Sequence, residues 1–105
     1  MPGIHKRAAA RRDLVQHYVY LAENAGIDTA DRFLANAEKS FADLAGQPLM
    51  GALLTLRRPE LAGMRKWRVT DFEDFLIFYQ PRRDGVSIVR MLHAAQDWWG
   101  LLGII

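Results

Sequence analysis

The period of the apolar residues changes once along this chain, and that change limits the folds open to it. Up to Gly46 apolar side chains recur every third or fourth residue; from Met64 they recur every second. Leu14, Tyr18, Leu21 and Ala25, with Val15 and Ala22 beside them, predict a helix over 8–25, and Gly26 offers the left-handed position that ends it. Asp28 or Thr29 can cap a second helix. Its stripe is Ala30, Phe33, Leu34, Ala37, Phe41, Leu44 and Ala45, before Gly46 and Pro48 stop it. So short a link makes the pair an antiparallel helical hairpin.

Residues 48–63 carry Pro48, Gly51, Pro59 and Gly63, and read as an ordered loop anchored by Leu49, Met50, Leu53 and Leu54. Three strands follow. Met64–Thr70 alternates; Asp74–Gln80 is apolar on both faces, as a central strand is. Val86–His93 sets Val86, Ile88, Arg90 and Leu92 against Ser87, Val89, Met91 and His93. Pro81-Arg82-Arg83-Asp84-Gly85 supplies the hairpin turn between the last two, with the Asp-Gly signal. Gly3–Arg7 is a short extended candidate that must pair at an edge or beside the last strand. The order strand-helix-helix-strand-strand-strand predicts one α+β domain over 1–105, with an antiparallel sheet packed by the N-terminal hairpin. Residues 94–105 form a C-terminal extension.

Composition removes several function classes. With no cysteine there is no disulfide scaffold, thiolate nucleophile or sulfur-ligated zinc. The apolar runs Leu49–Leu54 and Trp98–Ile105 fall far short of the ~20 residues of a membrane helix. Polar residues interrupt the N-terminal segment before any signal-peptide core can form. The expectation is a soluble, cytoplasmic protein that needs no membrane. The net charge is only +2, but it is uneven: +3 over residues 1–22, −3 over 23–56 and +2 over 57–105. That is not the uniform basic coat of a DNA-packaging protein, and no motif supports direct sequence-specific DNA binding.

Arg58-Pro59-Glu60-Leu61, Met64-Arg65, Phe75-Leu76-Ile77-Phe78-Tyr79 and Ile88-Val89-Arg90-Met91-Leu92-His93, in this order and at this length, resemble the RelE/ParE toxin superfamily of bacterial type II toxin–antitoxin systems. The Pro48…Gly51 loop and the Leu14…Tyr18…Leu21 helix are similar too. The resemblance implies a toxin held inactive by a cognate, ParD-like antitoxin. One branch of the superfamily cleaves messenger RNA on the ribosome; the ParE branch poisons DNA gyrase. The Arg-Met-Leu-His-Ala-Ala-Gln-Asp-Trp ending is closer to ParE.

Metal-free RNA cleavage needs a base, an acid and cations around the phosphate. His93, Arg90 and Arg65 are the candidates, with Lys66, Arg68 and Glu73 in reserve. Nuclease branches place a tyrosine, or a His-Tyr pair, where this chain has His93-Ala94-Ala95. The resemblance then implies first a gyrase-binding inhibitor that uses no cofactor and no metal, with His93 a strand-end histidine bonded to backbone, and as the alternative a RelE-like ribosome-dependent endoribonuclease. Asp13 and His17 have metal-ligand spacing but no further ligands, and read as a surface pair.

Two surfaces suit the antitoxin. One is a groove between hairpin and sheet bordered by Leu14, Tyr18 and Leu21. The other is a basic group of Arg65, Lys66 and Arg68 with Trp67 and the hairpin arginines Arg82 and Arg83. Trp98, Trp99, Leu101 and Leu102 are the candidate contacts with the target; the alternative, that the tail folds back to complete a thin core, stays open.

Overall fold

The computed structural model describes residues 3–56, 58–96 and 100. β1 (Gly3–Lys6) leads into α1 (Ala8–Ala25) and α2 (Ile27–Gly46); β2 (Ala52–Leu53), a 3-10 turn (Pro59–Leu61), β3 (Arg65–Val69), β4 (Phe72–Arg82) and β5 (Gly85–His93) follow. The sheet runs β1-β5-β4-β3-β2. Its neighbours are antiparallel except β1 and β5, which run parallel with Gly3 opposite Gly85 and Lys6 opposite Ile88. The sheet is thus mixed, and it gains a fifth strand, the two-residue β2, inside the segment expected to be loop.

The helical hairpin turns on one residue. Gly26, at φ 97° and ψ 156°, occupies a region that only glycine enters without strain. Helix α2 begins at once, so Asp28 lies in its first turn, where a carboxylate suits the helix dipole, and caps nothing. The α2 stripe fills the main core. Phe33, Phe41 and Leu44 pack with Ile77, Tyr79, Ile88 and Met91 from the sheet.

A second, smaller core covers the other face. Met64, Leu76, Phe78, Val89 and Leu92 are buried there with Leu54, Leu56 and Leu61 against them. The loop after α2 is therefore a layer of the fold. Of the expected anchors Leu54 packs on this core and Met50 on the main one, while Leu49 and Leu53 are exposed. The Tyr79 hydroxyl donates to the Pro48 carbonyl and accepts from Gly51 N–H, both at 2.8 Å. Burial pushes the Tyr79 phenol up, so the donor keeps its proton. Arg7 extends the ties by donating to Gln80 Oε1, and Gln80 Nε2 donates to the Glu60 and Ala62 carbonyls.

Strand β5 departs from simple alternation. Tyr79 pairs with Ile88 but Phe78 pairs with Arg90, so Val89 is the extra residue of a β-bulge. The bulge resets the faces. Val86, Ile88 and Met91 meet the helices, whereas Val89 and Leu92 meet the second core. The turn into β5 also differs from expectation. Arg82 pairs with Gly85, leaving Arg83-Asp84 as the loop. Gly85 is needed for another reason: a Cβ there would lie 1.9 Å from the Gly3 carbonyl oxygen of β1. Replacing Gly85 with Ala should unseat β1, seen as lost amide protection at Ile4–Lys6 while β4 stays protected.

Past the bulge, β1 has ended and the outer edge of β5 needs other partners. Two side chains of α1 provide them. Asp13 Oδ2 accepts Met91 N–H at 3.0 Å, and His17 Nε2 meets the Met91 carbonyl at 2.7 Å. Asp13 also accepts a two-point contact from Arg90, Nε to Oδ2 at 2.7 Å and Nη2 to Oδ1 at 3.0 Å. The pair expected at the surface is instead an interior clamp. Asp13 and His17 share the inner stripe of α1 with Ala10, Leu14 and Leu21, so the helix carries them against the sheet.

Two predictions follow from the clamp. Asp13→Ala leaves Arg90, 25 % exposed, without its anion and Met91 N–H without an acceptor. The expected loss is about 2–3 kcal/mol in urea unfolding, less than for a fully buried pair. A loss within that of an exposed pair, about 0.5 kcal/mol, would refute the clamp. His17 is held below the ordinary histidine range chiefly by burial, with His93 and Arg90 adding to the depression and the Met91 carbonyl and Asp13 opposing it. The unfolded chain then takes up more protons below about pH 6.5, so stability falls as pH drops through that value. Melting temperature should decline from about pH 7.5 to 5.5, and decline less in His17→Gln, whose amide can still donate to Met91.

Candidate functional site

The residues proposed for acid–base chemistry are all occupied in the fold. Arg90 is paired with Asp13, whose hydrogen bonds hold the guanidinium still more firmly protonated. Arg65 Nη1 donates to the carbonyls of Leu49, at 3.2 Å, and Gly51, at 2.7 Å, and so fastens the loop before β2. His93 Nδ1 accepts Ala95 N–H at 3.0 Å, and its ring stands edge-on to Phe75. Nor do the three converge. Arg65 sits opposite Tyr79 and His93 opposite Phe75, on the two flanks of β4 and four residues apart along it. That is roughly 13 Å along the strand alone. None of the three lines the groove that opens beside β3.

The α1 surface differs from the expected groove. Leu21 is buried and Leu14 and Tyr18 are half-buried against the core, so the hairpin–sheet interior is already full. The apolar surface that α1 offers lies on its outer side. Val15 is 62 % exposed, Val19 46 % and Tyr20 58 %. Val15 and Val19 are one turn apart and share a face. These residues were hidden in the sequence because they lie beside the inner stripe. The available signal was that Asp13 and His17 occupied the stripe, which moves apolar neighbours outward.

The basic group divides. Arg68 sits opposite Leu76 and Arg82 opposite Gly85 at the far end of β4, six residues on, or about 20 Å. Arg82 and Arg83 are an exposed turn of their own. Lys66, Trp67 and Arg68 remain together and line an open groove of ≈ 700 Å³ with Met50, Ala52, Val69, Thr70, Asp71 and Glu73. The groove follows the outer edge of β3, where β2 pairs only with Arg65 and Lys66. Trp67 packs partly on the main core and closes its floor. One end of the groove is basic and the other acidic. The Thr70-Asp71 turn at the acidic end is held by α2, since Thr70 N–H donates to Ser40 Oγ at 3.1 Å. Trp98, Trp99, Leu101 and Leu102 lie outside the described residues. Among the described residues no three His, Asp or Glu side chains form a metal-binding group, and no helix is long and apolar enough to cross a membrane.

These features sit on a five-stranded mixed sheet flanked by a helical hairpin, and known proteins share the build. The chain is similar to a toxin–antitoxin structure described as the chromosomal ParDE system from P. aeruginosa, at TM-score 0.70 and 17% identity, covering 89% of this chain and 96% of that one. It is also similar in fold to the YoeB–YefM complex from Staphylococcus aureus, at TM-score 0.53 and 10% identity, over 89% and 97% of the two chains. No curated protein matches the sequence at a significant level. The family described as the ParE toxin of the type II toxin–antitoxin system parDE matches residues 4–98, from β1 through the β5 turn. On that match, the chain belongs to the ParE family of type II toxin–antitoxin toxins.

Proposed function

We propose that this toxin acts by binding DNA gyrase and stalling its cleaved-DNA state, and that a ParD-like antitoxin neutralises it by covering its surface. The observation that carries the reading is the engagement of Arg65, Arg90 and His93 in structural contacts, together with the family match over residues 4–98. A toxin whose candidate acid–base groups are committed to holding the fold is suited to inhibit by contact. RelE-like cleavage of messenger RNA would require releasing Arg90 from Asp13 and His93 from its turn. No observation favours that alternative.

The outer face of α1 and the β3 groove are the surfaces we assign to the antitoxin. An apolar helix suits Val15, Val19 and Tyr20. An extended segment with carboxylates suits the Lys66–Arg68 end of the groove. Arg65 Nη1 instead fastens the carbonyls of Leu49 and Gly51. The target contact is assigned to Trp98, Trp99, Leu101 and Leu102, since large aromatic and aliphatic groups dominate binding energy at interfaces.

In a purified supercoiling assay, toxin in excess should stop gyrase and accumulate cleaved DNA; unchanged supercoiling would refute the target. Discrete cuts on translated messages after induction would move the reading to the ribosome. Val19→Asp should weaken antitoxin binding by about tenfold or more through a faster off-rate. Arg68→Glu should slow association several-fold at low salt and little at high salt. Wild-type kinetics in both variants would show that these faces are merely solvated.

A further inference from the structure

The parallel pairing of β1 with β5 gathers cations at one end of the sheet. His5 lies beside Ser87, and Ser87 opposite Gln80, so the three share the face away from the helices. Arg82 follows Gln80 by two residues and falls on that face as well, about 7 Å farther along β4. Arg7, just past β1, reaches onto the row. Its Nε donates to Ser87 Oγ at 3.3 Å and its Nη2 to Gln80 Oε1 at 2.6 Å. Gly3 N–H donates to the Asp84 carbonyl, which ties the Arg83-Asp84 loop to the start of β1. Between strand and loop opens a cleft of ≈ 230 Å³ lined by Gly3, Ile4, His5, Arg82, Asp84 and Val86.

Both acceptors of Arg7 are neutral, so its guanidinium is fixed in place with its charge uncompensated. Among the described residues Nη1 of Arg7 donates to nothing, and no carboxylate pairs with Arg7, Arg82 or Arg83. All three are exposed. A protein partner draws most of its binding energy from apolar and aromatic anchors. Here Ile4, 38 % exposed, is the one large apolar side chain on the cleft that is open to solvent. A phosphodiester backbone needs no such anchor. It asks for spaced cations and forked donors held in position, which arginine supplies. The cluster lies at the β1 edge, across the sheet from the β3 groove.

We propose that Arg7, Arg82 and Arg83, with His5 beside them, form a sequence-independent contact for the sugar-phosphate backbone of duplex DNA. The choice of DNA as the source of the phosphates rests on the gyrase reading above, in which the target holds a cleaved duplex. The cation cluster itself does not rest on that reading.

The test follows binding of the full chain to a short fluorescent DNA duplex of arbitrary sequence, by anisotropy over a range of salt concentrations. Three neutralised phosphates give log affinity against log salt a slope of about −3. Arg82→Gln together with Arg83→Gln should lower affinity at low salt by about tenfold or more and bring the slope to about −1, with melting temperature and antitoxin affinity held. Arg82→Lys with Arg83→Lys should keep the slope. Arg68→Glu removes the same net charge from the opposite edge and should leave duplex binding as it is. A wild-type toxin that does not bind the duplex overturns the proposal, as does an unchanged slope in the glutamine variant. So does an equal loss in Arg68→Glu, which makes the binding a matter of net charge alone. A glutamine variant that loses the antitoxin and keeps the duplex gives these arginines to the antitoxin and overturns it too. If duplex binding behaves as expected and the wild-type toxin leaves gyrase untouched, the target reading alone fails.

Discussion

The outer edge of β5 is the constraint on which the rest of the molecule depends. A strand edge carries donors and acceptors that must be satisfied. Here they are satisfied in relay. Arg7 N–H takes the Ile88 carbonyl as β1 ends; Asp13 and His17 then take both backbone groups of Met91; Gln96 takes His93 N–H. Helix α1 is thereby used as a surrogate strand, and its placement follows from two polar side chains one turn apart. The bulge at Val89 makes this possible, because it turns the Met91 backbone outward and its side chain inward.

The relay also occupies Arg90 and His93, while Arg65 is occupied at the opposite flank of β4. Arg90, His93 and Arg65 are the polar groups that let a thin domain close its edges and fasten its loops. The surface beyond these contacts is apolar on the outer side of α1 and mixed in charge along β3.

The elements governed by apolar period were legible. Helix α1 was expected over 8–25 and is Ala8–Ala25, and the buried face-to-face run of β4 followed from Phe75–Tyr79. The parts that escaped depend on tertiary partners. Two-residue β2 has no period of its own and exists because β3 offers an edge. The bulge cannot be seen in an alternation that looks regular, so Leu92 was grouped with Ile88 although they face opposite cores. The surface assignments suffered likewise. Leu14 and Leu21 marked the α1 stripe, but a stripe is what a helix buries, and the exposed apolar residues Val15 and Val19 lie beside it. Asp13 and His17 were readable as polar residues on that stripe, and only the Met91 backbone explains them.

The parallel pairing of β1 with β5 joins Gly3 to Gly85, across 82 residues of sequence. Contacts that distant close late, after the loop entropy of the intervening chain has been met. At ribosomal speeds of roughly 5–20 residues per second, the first strand waits about 4–16 s for its partner to be made. Throughout that interval the edge relay has nothing to grip, since Met91 is synthesised later still. The nascent protein is therefore a helical hairpin without a finished sheet, and toxin activity that requires the closed fold begins only after β5 has been made.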